Sequence, residues 1–247
     1  MKSGYEENRN YYFFNVIFCL LFLANLILFN LFNGESMKIF KMNPENPDMD
    51  LISEAIDIMA QGGIILYPTD TVYGLGANIF NNDAVKRIYE IKQRDKSKPL
   101  SVLVSNMESM ELIAHLNNNS REIINKWLPG PFTFILNKKT IVSPYVSSSS
   151  KVGVRIPDYK IARSLASVFP ITTTSANIAN EDTLSNPHEI LRQMGDCIDL
   201  VIDVGDLDGG EPSTVIDLTY PKPSLVRGGV ISNTLKSIKD DINNIKF

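Results

Sequence analysis

The chain has little of what metal and thiol chemistry requires. Two cysteines, Cys19 and Cys197, and two histidines, His115 and His188, are scattered over 247 residues. No C-x-x-C pair or Cys/His cluster occurs, which argues against a structural zinc site. Both histidines read as surface or capping residues. His188 follows Asn186-Pro187, a cap and first-turn pair that marks a helix start. Cys197 lies beside Ile198 in an apolar stretch and is expected to be buried. The phosphate-loop pattern G-x-x-x-x-G-K-[ST] is absent. Positive charge is not in excess either, with 24 Lys and Arg against 28 Asp and Glu, a net charge of −4. The chain therefore lacks the bulk basic footprint of a dedicated nucleic-acid binder.

Residues 10–34 carry no charge at all. Within them, residues 11–32 are long enough to cross a bilayer, which takes about 20 apolar residues. Lys2 and Arg9 on one side balance Lys38 and Lys41 on the other, so no orientation follows. Two readings remain open. Residues 1–36 are either a membrane anchor or an upstream extension before a natural start at Met37, and the second is preferred because the sequence after Met37 opens an ordinary domain. The expected division is a terminal segment, 1–36, and one domain, 37–247. A membrane is a partner only if the segment is made; otherwise the expected location is the cytoplasm.

An apolar content of 44% and a charged content of 21% suit a globular domain with a sizeable core. Residues 50–59 place Leu51, Ile52, Ala55, Ile56 and Met59 on one helical face, stopped by Gly62-Gly63. Residues 64–67 read as a buried strand cut by Pro68. Helices are expected at 83–93, 107–115, 120–127, from a cap at Asp158 through 168, and from about Asn233. Strands are expected at 100–104, 132–136, 152–156, 171–174, 201–204, 214–218 and 225–230. Short strand-to-strand links such as 218–225 require some antiparallel pairing. The pattern predicts one α/β domain with a mixed parallel and antiparallel, twisted open sheet.

Three segments carry candidate chemistry. Lys92, Arg94, Lys96 and Lys98 cluster where the helix expected at 83–93 runs into a loop. Alone, such cations complement a helix dipole; together with hydroxyl and amide groups they suit phosphate oxygens. The run Ile171-Thr-Thr-Thr174 ends in Ser175-Ala176-Asn177, whose polar side chains need partners that a ligand could supply. Between Tyr67 and Gly76 lies Tyr-Pro-Thr-Asp-Thr-Val-Tyr-Gly-Leu-Gly, a polar loop suited to a hydroxylated amino acid. Arg155, on an otherwise apolar strand, needs an anionic partner.

Eight ordered motifs then resemble the YrdC-like threonylcarbamoyl-AMP synthases in their short form. They are Tyr67 to Gly76, Lys92-x-Arg94, Lys98-Pro-Leu100, Pro129-Gly-Pro-Phe-Thr133, Val152-Gly-Val-Arg-Ile-Pro157, Thr174-Ser-Ala-Asn177, Pro212-Ser-Thr-Val-Ile-Asp217 and Leu225-Val-Arg227. The resemblance implies a concave cavity over a twisted sheet, and a reaction in which L-threonine, bicarbonate and ATP give threonylcarbamoyl-AMP, pyrophosphate and water. That product supplies the tRNA threonylcarbamoyl-transfer machinery. It implies Lys92 and Arg94 as catalytic residues. Arg94, Lys98, Ser175, Asn177, Thr183 and Arg227 would bind ATP, and Thr71, Arg155, Thr173 and Ser213 would bind threonine. A Mg²⁺ would arrive with ATP, held mainly by substrate oxygens.

Three positions depart from the family pattern. Leu103 stands where longer members have a histidine, Gly228-Gly229 follows Arg227 in place of an Arg-Pro-Gly pattern, and Lys98 replaces a frequent asparagine. The main alternative is a double-stranded RNA or tRNA-binding module without catalysis, which net charge disfavours. A carbamoyl-transfer domain of the hydrogenase-maturation type lacks its cysteine-rich companions here.

Overall fold

The computed structural model describes residues 37–195, 197–208 and 211–229. The uncharged stretch at 10–34, Cys19 and the helix expected from Asn233 lie outside them. No helix among the described residues is long and apolar enough to cross a membrane.

Among the described residues, eleven strands form one mixed sheet. They are β1 (Lys38–Lys41), β2 (Ile65–Tyr67), β3 (Gly74–Gly76), β4 (Ser101–Leu103), β5 (Ala114–His115), β6 (Phe132–Lys138), β7 (Lys151–Arg155), β8 (Ile171–Ser175), β9 (Leu200–Asp203), β10 (Thr214–Asp217) and β11 (Ser224–Arg227). Their spatial order is β1-β9-β2-β3-β8-β4-β7-β6-β10-β11, with β5 on β6. β9 runs parallel to both β1 and β2, β4 to β7, and β6 to β10; the other neighbours are antiparallel. The sheet is the mixed open one that the short connections require.

Helices cover both faces. α1 (Met49–Ala60) packs on α5 (Lys160–Leu165), burying Ile52, Ala55, Met59, Ile161 and Leu165 on one face. α2 (Asn82–Ile91), α3 (Met107–Ile113), α4 (Asn118–Trp127) and α6 (Pro187–Met194) bury Val85, Ile88, Met110, Ile123, Ile124 and Ile190 in the other core cluster. Around β2 the period-two alternation is explicit: Ile64 and Leu66 enter one cluster, Ile65 and Tyr67 the other. Leu103 is fully buried in the α1/α5 cluster, so this position serves the core.

Several local expectations are corrected. β1 and β3 were not legible as strands. α3 ends at Ile113, because Ala114 and His115 pair with β6 instead of extending the helix. Asp158 does not cap α5: Tyr159 holds that position without a side-chain cap bond, and Asp158 accepts from Arg163 instead. α5 also stops at Leu165, well before residue 168. Cys197 is exposed, because the apolar neighbour Ile198 alone turns inward. His188 is a helix-start residue as read; Asn186 accepts from its backbone N–H at 2.9 Å.

β3 is paired with β2 and β8 and runs beneath the Tyr67 ring. A Cβ on Gly76 would lie 2.9 Å from the Tyr67 ring, and one on Gly74 3.1 Å. The ring thus lies across a strand that only glycines leave flat enough, and its hydroxyl donates to the Thr172 carbonyl at 3.2 Å on the next strand but one. Burial pushes the Tyr67 phenol up to about 12, against the opposing effect of a hydrogen bond with Thr173.

Candidate active site

A cleft of about 610 Å³, counted out to its mouth, opens where the ends of several strands meet their following loops. The loop between β2 and β3 supplies Thr69, Thr71, Val72 and Tyr73, the segment after α2 supplies Arg94 and 99–101, and β6 contributes Thr133. β7 adds Arg155, β8 adds residues 173–175, the turn before β10 adds Pro212 and Ser213, and β11 adds Arg227. Three guanidinium groups therefore face one cleft whose lining carries no carboxylate side chain. Burial, then the charges of Arg155 and Arg94, lower the pKa of Arg227. Arg227 thus lies within the field of the other two guanidinium groups.

Each wall is locally fixed. Thr69 Oγ1 donates to the Val72 carbonyl at 2.7 Å and accepts from the Thr71 and Val72 amides, closing a hydroxyl turn. Tyr73 is held from behind, donating to the Gly205 carbonyl at 2.8 Å and accepting from the Val204 amide at 3.1 Å; burial raises its pKa. Arg94 donates through Nε to the Lys98 carbonyl and through Nη2 to the Pro99 carbonyl, tying down its own loop. Ser213 shares a hydrogen bond with Thr133 at 2.9 Å, and Arg227 donates to the Ser213 carbonyl at 2.9 Å. Three strands, β6, β10 and β11, are locked together at that wall.

Of the residues expected from sequence, Arg94, Ser175, Arg227, Thr71, Arg155, Thr173 and Ser213 line the cleft. Four do not. Lys92 caps the C-terminus of α2 but is only 2% exposed; its ammonium donates to the carbonyls of Ser175 and Asn177, each at 2.5 Å, and to Asn177 Oδ1 at 3.2 Å. It lies beneath the cleft lining and grips the turn. Burial and the charge of Arg94 push its pKa down to about 7.

Asn177 is itself buried, with Oδ1 accepting from Ser175 Oγ and Nδ2 donating to the Glu181 carbonyl. Its side chain is spent inside the protein. Lys98 is exposed beside the cleft, where its carbonyl anchors Arg94 and Tyr89. Thr183 lies half-buried in the loop after β8, outside the lining.

Arg155 has its anionic partner within the protein. Its Nη2 donates to Asp70 Oδ1 at 2.5 Å and its Nη1 to Thr71 Oγ1 at 3.2 Å, while its buried Nε has no partner. Tyr73, Ser101, Thr133 and Asp70 were not singled out for their contacts from sequence. All four sit inside or next to quoted motifs, which was the only signal available. Among the described residues no group of three His, Cys, Asp or Glu could hold a metal.

The Sua5/YciO/YrdC family, described under telomere recombination, matches over residues 57–229. A Methanocaldococcus jannaschii protein, whose name assigns it provisionally as a threonylcarbamoyl-AMP synthase, is 39% identical over 195 residues, covering 79% of this chain and 93% of that one. The crystal structure of Escherichia coli YciO has a TM-score of 0.74 at 32% identity, covering 79% of this chain and 98% of that one. The Pyrococcus abyssi Sua5 crystal structure complexed with L-threonine has a TM-score of 0.78 at 33% identity. There the match covers 84% of this chain and 62% of that one.

Proposed function

The chain belongs to the Sua5/YciO/YrdC family, and from that premise we propose that it is an L-threonylcarbamoyladenylate synthase. The observation that carries the reading is the convergence of Arg94, Arg155 and Arg227 on a hydroxyl-rich cleft without a carboxylate in its lining. Two anions must meet in this reaction, a threonine-derived carbamate and ATP. Fixed cations suppress their repulsion at little reorganisation cost. A related protein with L-threonine bound supports placing an amino acid in the same fold.

In the proposed sequence the threonine ammonium first loses a proton to water, and the neutral amine then adds to bicarbonate, giving the N-carboxylate and water. A carbamate oxygen then attacks the α-phosphorus of ATP, the bond to the β-phosphate bridging oxygen breaks, and pyrophosphate leaves. Arg94, on the loop edge, forks onto phosphate oxygens and stabilises charge on the leaving group. Ser175 turns its one O–H from Asn177 Oδ1 to phosphate, on the turn that Lys92 holds, and Arg227 contacts the nucleotide from β11. Arg155 receives the threonine carboxylate, and Thr71, Thr173 and Ser213 line the amino-acid side. Direct displacement needs no nucleophilic side chain, so positioning carries much of the rate.

A Mg²⁺ would enter with ATP and offset phosphate charge. The lining offers it hydroxyl oxygens and no carboxylate, which fits an ion held mainly by substrate and water. The product would pass to the machinery that transfers the threonylcarbamoyl group to tRNA.

The test is pyrophosphate release by the full chain with ATP, Mg²⁺ and bicarbonate, with and without L-threonine. Release dependent on both threonine and bicarbonate is the expected outcome. Threonine-independent release, or none from folded protein, would overturn the reading. A steep salt dependence of tRNA binding would then favour the RNA-module alternative.

A further inference from the structure

Asp70 does not line the cleft, yet it holds a residue that does. Its Oδ1 accepts from Arg155 Nη2 at 2.5 Å, and its Oδ2 accepts the backbone N–H of Asp158 at 3.1 Å. The Asp70 side chain is 12% exposed and that of Arg155 5%. One carboxylate thus joins the β2–β3 loop, the end of β7 and the segment entering α5. Both of its oxygens are committed. A buried ion pair of this kind is weak evidence for added stability, because desolvation offsets much of the attraction. What it does provide is one fixed orientation of the guanidinium.

The donors of Arg155 show what that orientation serves. A guanidinium has five N–H groups. One goes to Asp70 and one to Thr71, itself in the lining. The Nε–H is buried without an acceptor. A buried unsatisfied donor costs about 1–3 kcal/mol, so the contacts to Asp70 and Thr71 hold the guanidinium in place against that cost. A carboxylate, with two oxygens set to match a planar fork, is the chemistry that fits.

We infer that Asp70 is a positioning residue for threonine: it holds the Arg155 guanidinium in one orientation at the cleft wall, where it meets the substrate carboxylate. This deepens the proposed function and rests on it. Asp70 also offsets one of the three positive charges around the cleft. Without it, Arg155 would be free to turn toward ATP phosphates, and the division between amino-acid and nucleotide sites would blur.

The test is calorimetric binding of L-threonine and, separately, of ATP with Mg²⁺ to wild type, Asp70→Ala and Asp70→Asn, with thermal unfolding of each. The amide oxygen of Asn can accept from Arg155 or from the Asp158 N–H but not both, so Asp70→Asn probes the anchor with little change in shape. Expected is a threonine Kd raised at least tenfold in Asp70→Ala and several-fold in Asp70→Asn, with the ATP Kd within twofold of wild type. If Asp70→Ala does not fold, Asp70→Asn decides. Threonine affinity within twofold of wild type, or an equal loss for ATP, overturns the positioning role while leaving the proposed function standing. Wild type that binds no threonine overturns the proposed function, and this inference with it.

Discussion

The ammonium of Lys92 lies 2.5 Å from the main-chain carbonyl of Asn177, a residue 85 positions later in the chain. The contact joins the C-terminus of α2 to the turn after β8. Through it the two most polar segments of the sequence become one unit, with Arg94 and Ser175 presented to the cleft and Lys92 and Asn177 beneath them. Return contacts reinforce the unit, since the Ala179 amide donates to the Lys92 carbonyl at 2.9 Å. A lysine buried here positions a turn.

That burial gives a pH signature. The Lys92 pKa of about 7 in the fold lies below the unfolded value of about 10.4. Between those values the unfolded chain binds more protons, so stability rises with pH. The contribution of this group is fully present above about 10.4 and is lost as pH falls through about 7. Relative to Lys92→Met, wild type should gain stability from pH 7 to 9.5, with a slope of up to about 1.4 kcal/mol per pH unit. Urea unfolding of both proteins at stepped pH measures it. A flat difference would mean that the three oxygens hold the proton against burial.

Arg94 should behave differently. It is part-exposed, and its bonds to the Lys98 and Pro99 carbonyls are exposed loop contacts. Arg94→Ala should cut pyrophosphate release at least 100-fold, on the order of 3 kcal/mol of transition-state stabilisation, while the melting temperature stays within a few degrees. Arg94→Lys restores a charge without the fork and should recover less than a tenth of the activity. Near-normal turnover in Arg94→Ala would remove the residue from the site.

What the sequence displayed and what it hid divide along physical lines. β2 was legible because its alternating apolar residues face two cores. β3 was not, since Gly-Leu-Gly carries little strand signal; it is held by antiparallel ladders to β2 and β8, and its glycines leave room for the Tyr67 ring. β1, Lys-Ile-Phe-Lys, is an edge strand in parallel register with β9, and that pairing is set 160 residues away. Arg94, Arg155 and Arg227 were found by motif, but their convergence depends on the strand order. Lys92 and Lys98 look alike in sequence as cations near a helix end. Only the return of Ser175 and Asn177 over the end of α2 separates the buried one from the exposed one.

Ser213 separates the two halves of the proposed site. Its hydroxyl meets Thr133 at 2.9 Å, while Arg227 relies mainly on its carbonyl. Ser213→Ala removes the hydroxyl and keeps the main-chain acceptor. The KM for threonine should rise roughly tenfold, about 1.4 kcal/mol, with the KM for ATP within twofold. Steady-state kinetics with each substrate varied in turn decides it, and equal losses would contradict the assignment of Ser213 to the amino-acid side.

The glycine pair after Arg227 offers a test with its own control. A Cβ on Gly229 would lie 2.0 Å from the Pro212 carbonyl oxygen, 2.7 Å from the Ser213 carbonyl carbon and 2.8 Å from the Thr214 nitrogen. All three are main-chain atoms, so no side chain can move aside. Gly228 has nothing within 4 Å. Gly229→Ala must therefore push the 212–214 backbone, displacing Ser213 in the cleft and straining the bond from the Thr214 amide to the Pro131 carbonyl that starts β10. Overpacking of this kind costs about 1–3 kcal/mol. Gly229→Ala should lower the melting temperature by several degrees and weaken threonine binding, whereas Gly228→Ala should match wild type in both. The two variants differ by one position and carry the same added methyl, so any general effect of stiffening the chain after β11 would appear in both. A loss confined to Gly229→Ala assigns the constraint to its close approach to Ser213, and matching behaviour of the pair would place the end of β11 farther from that turn.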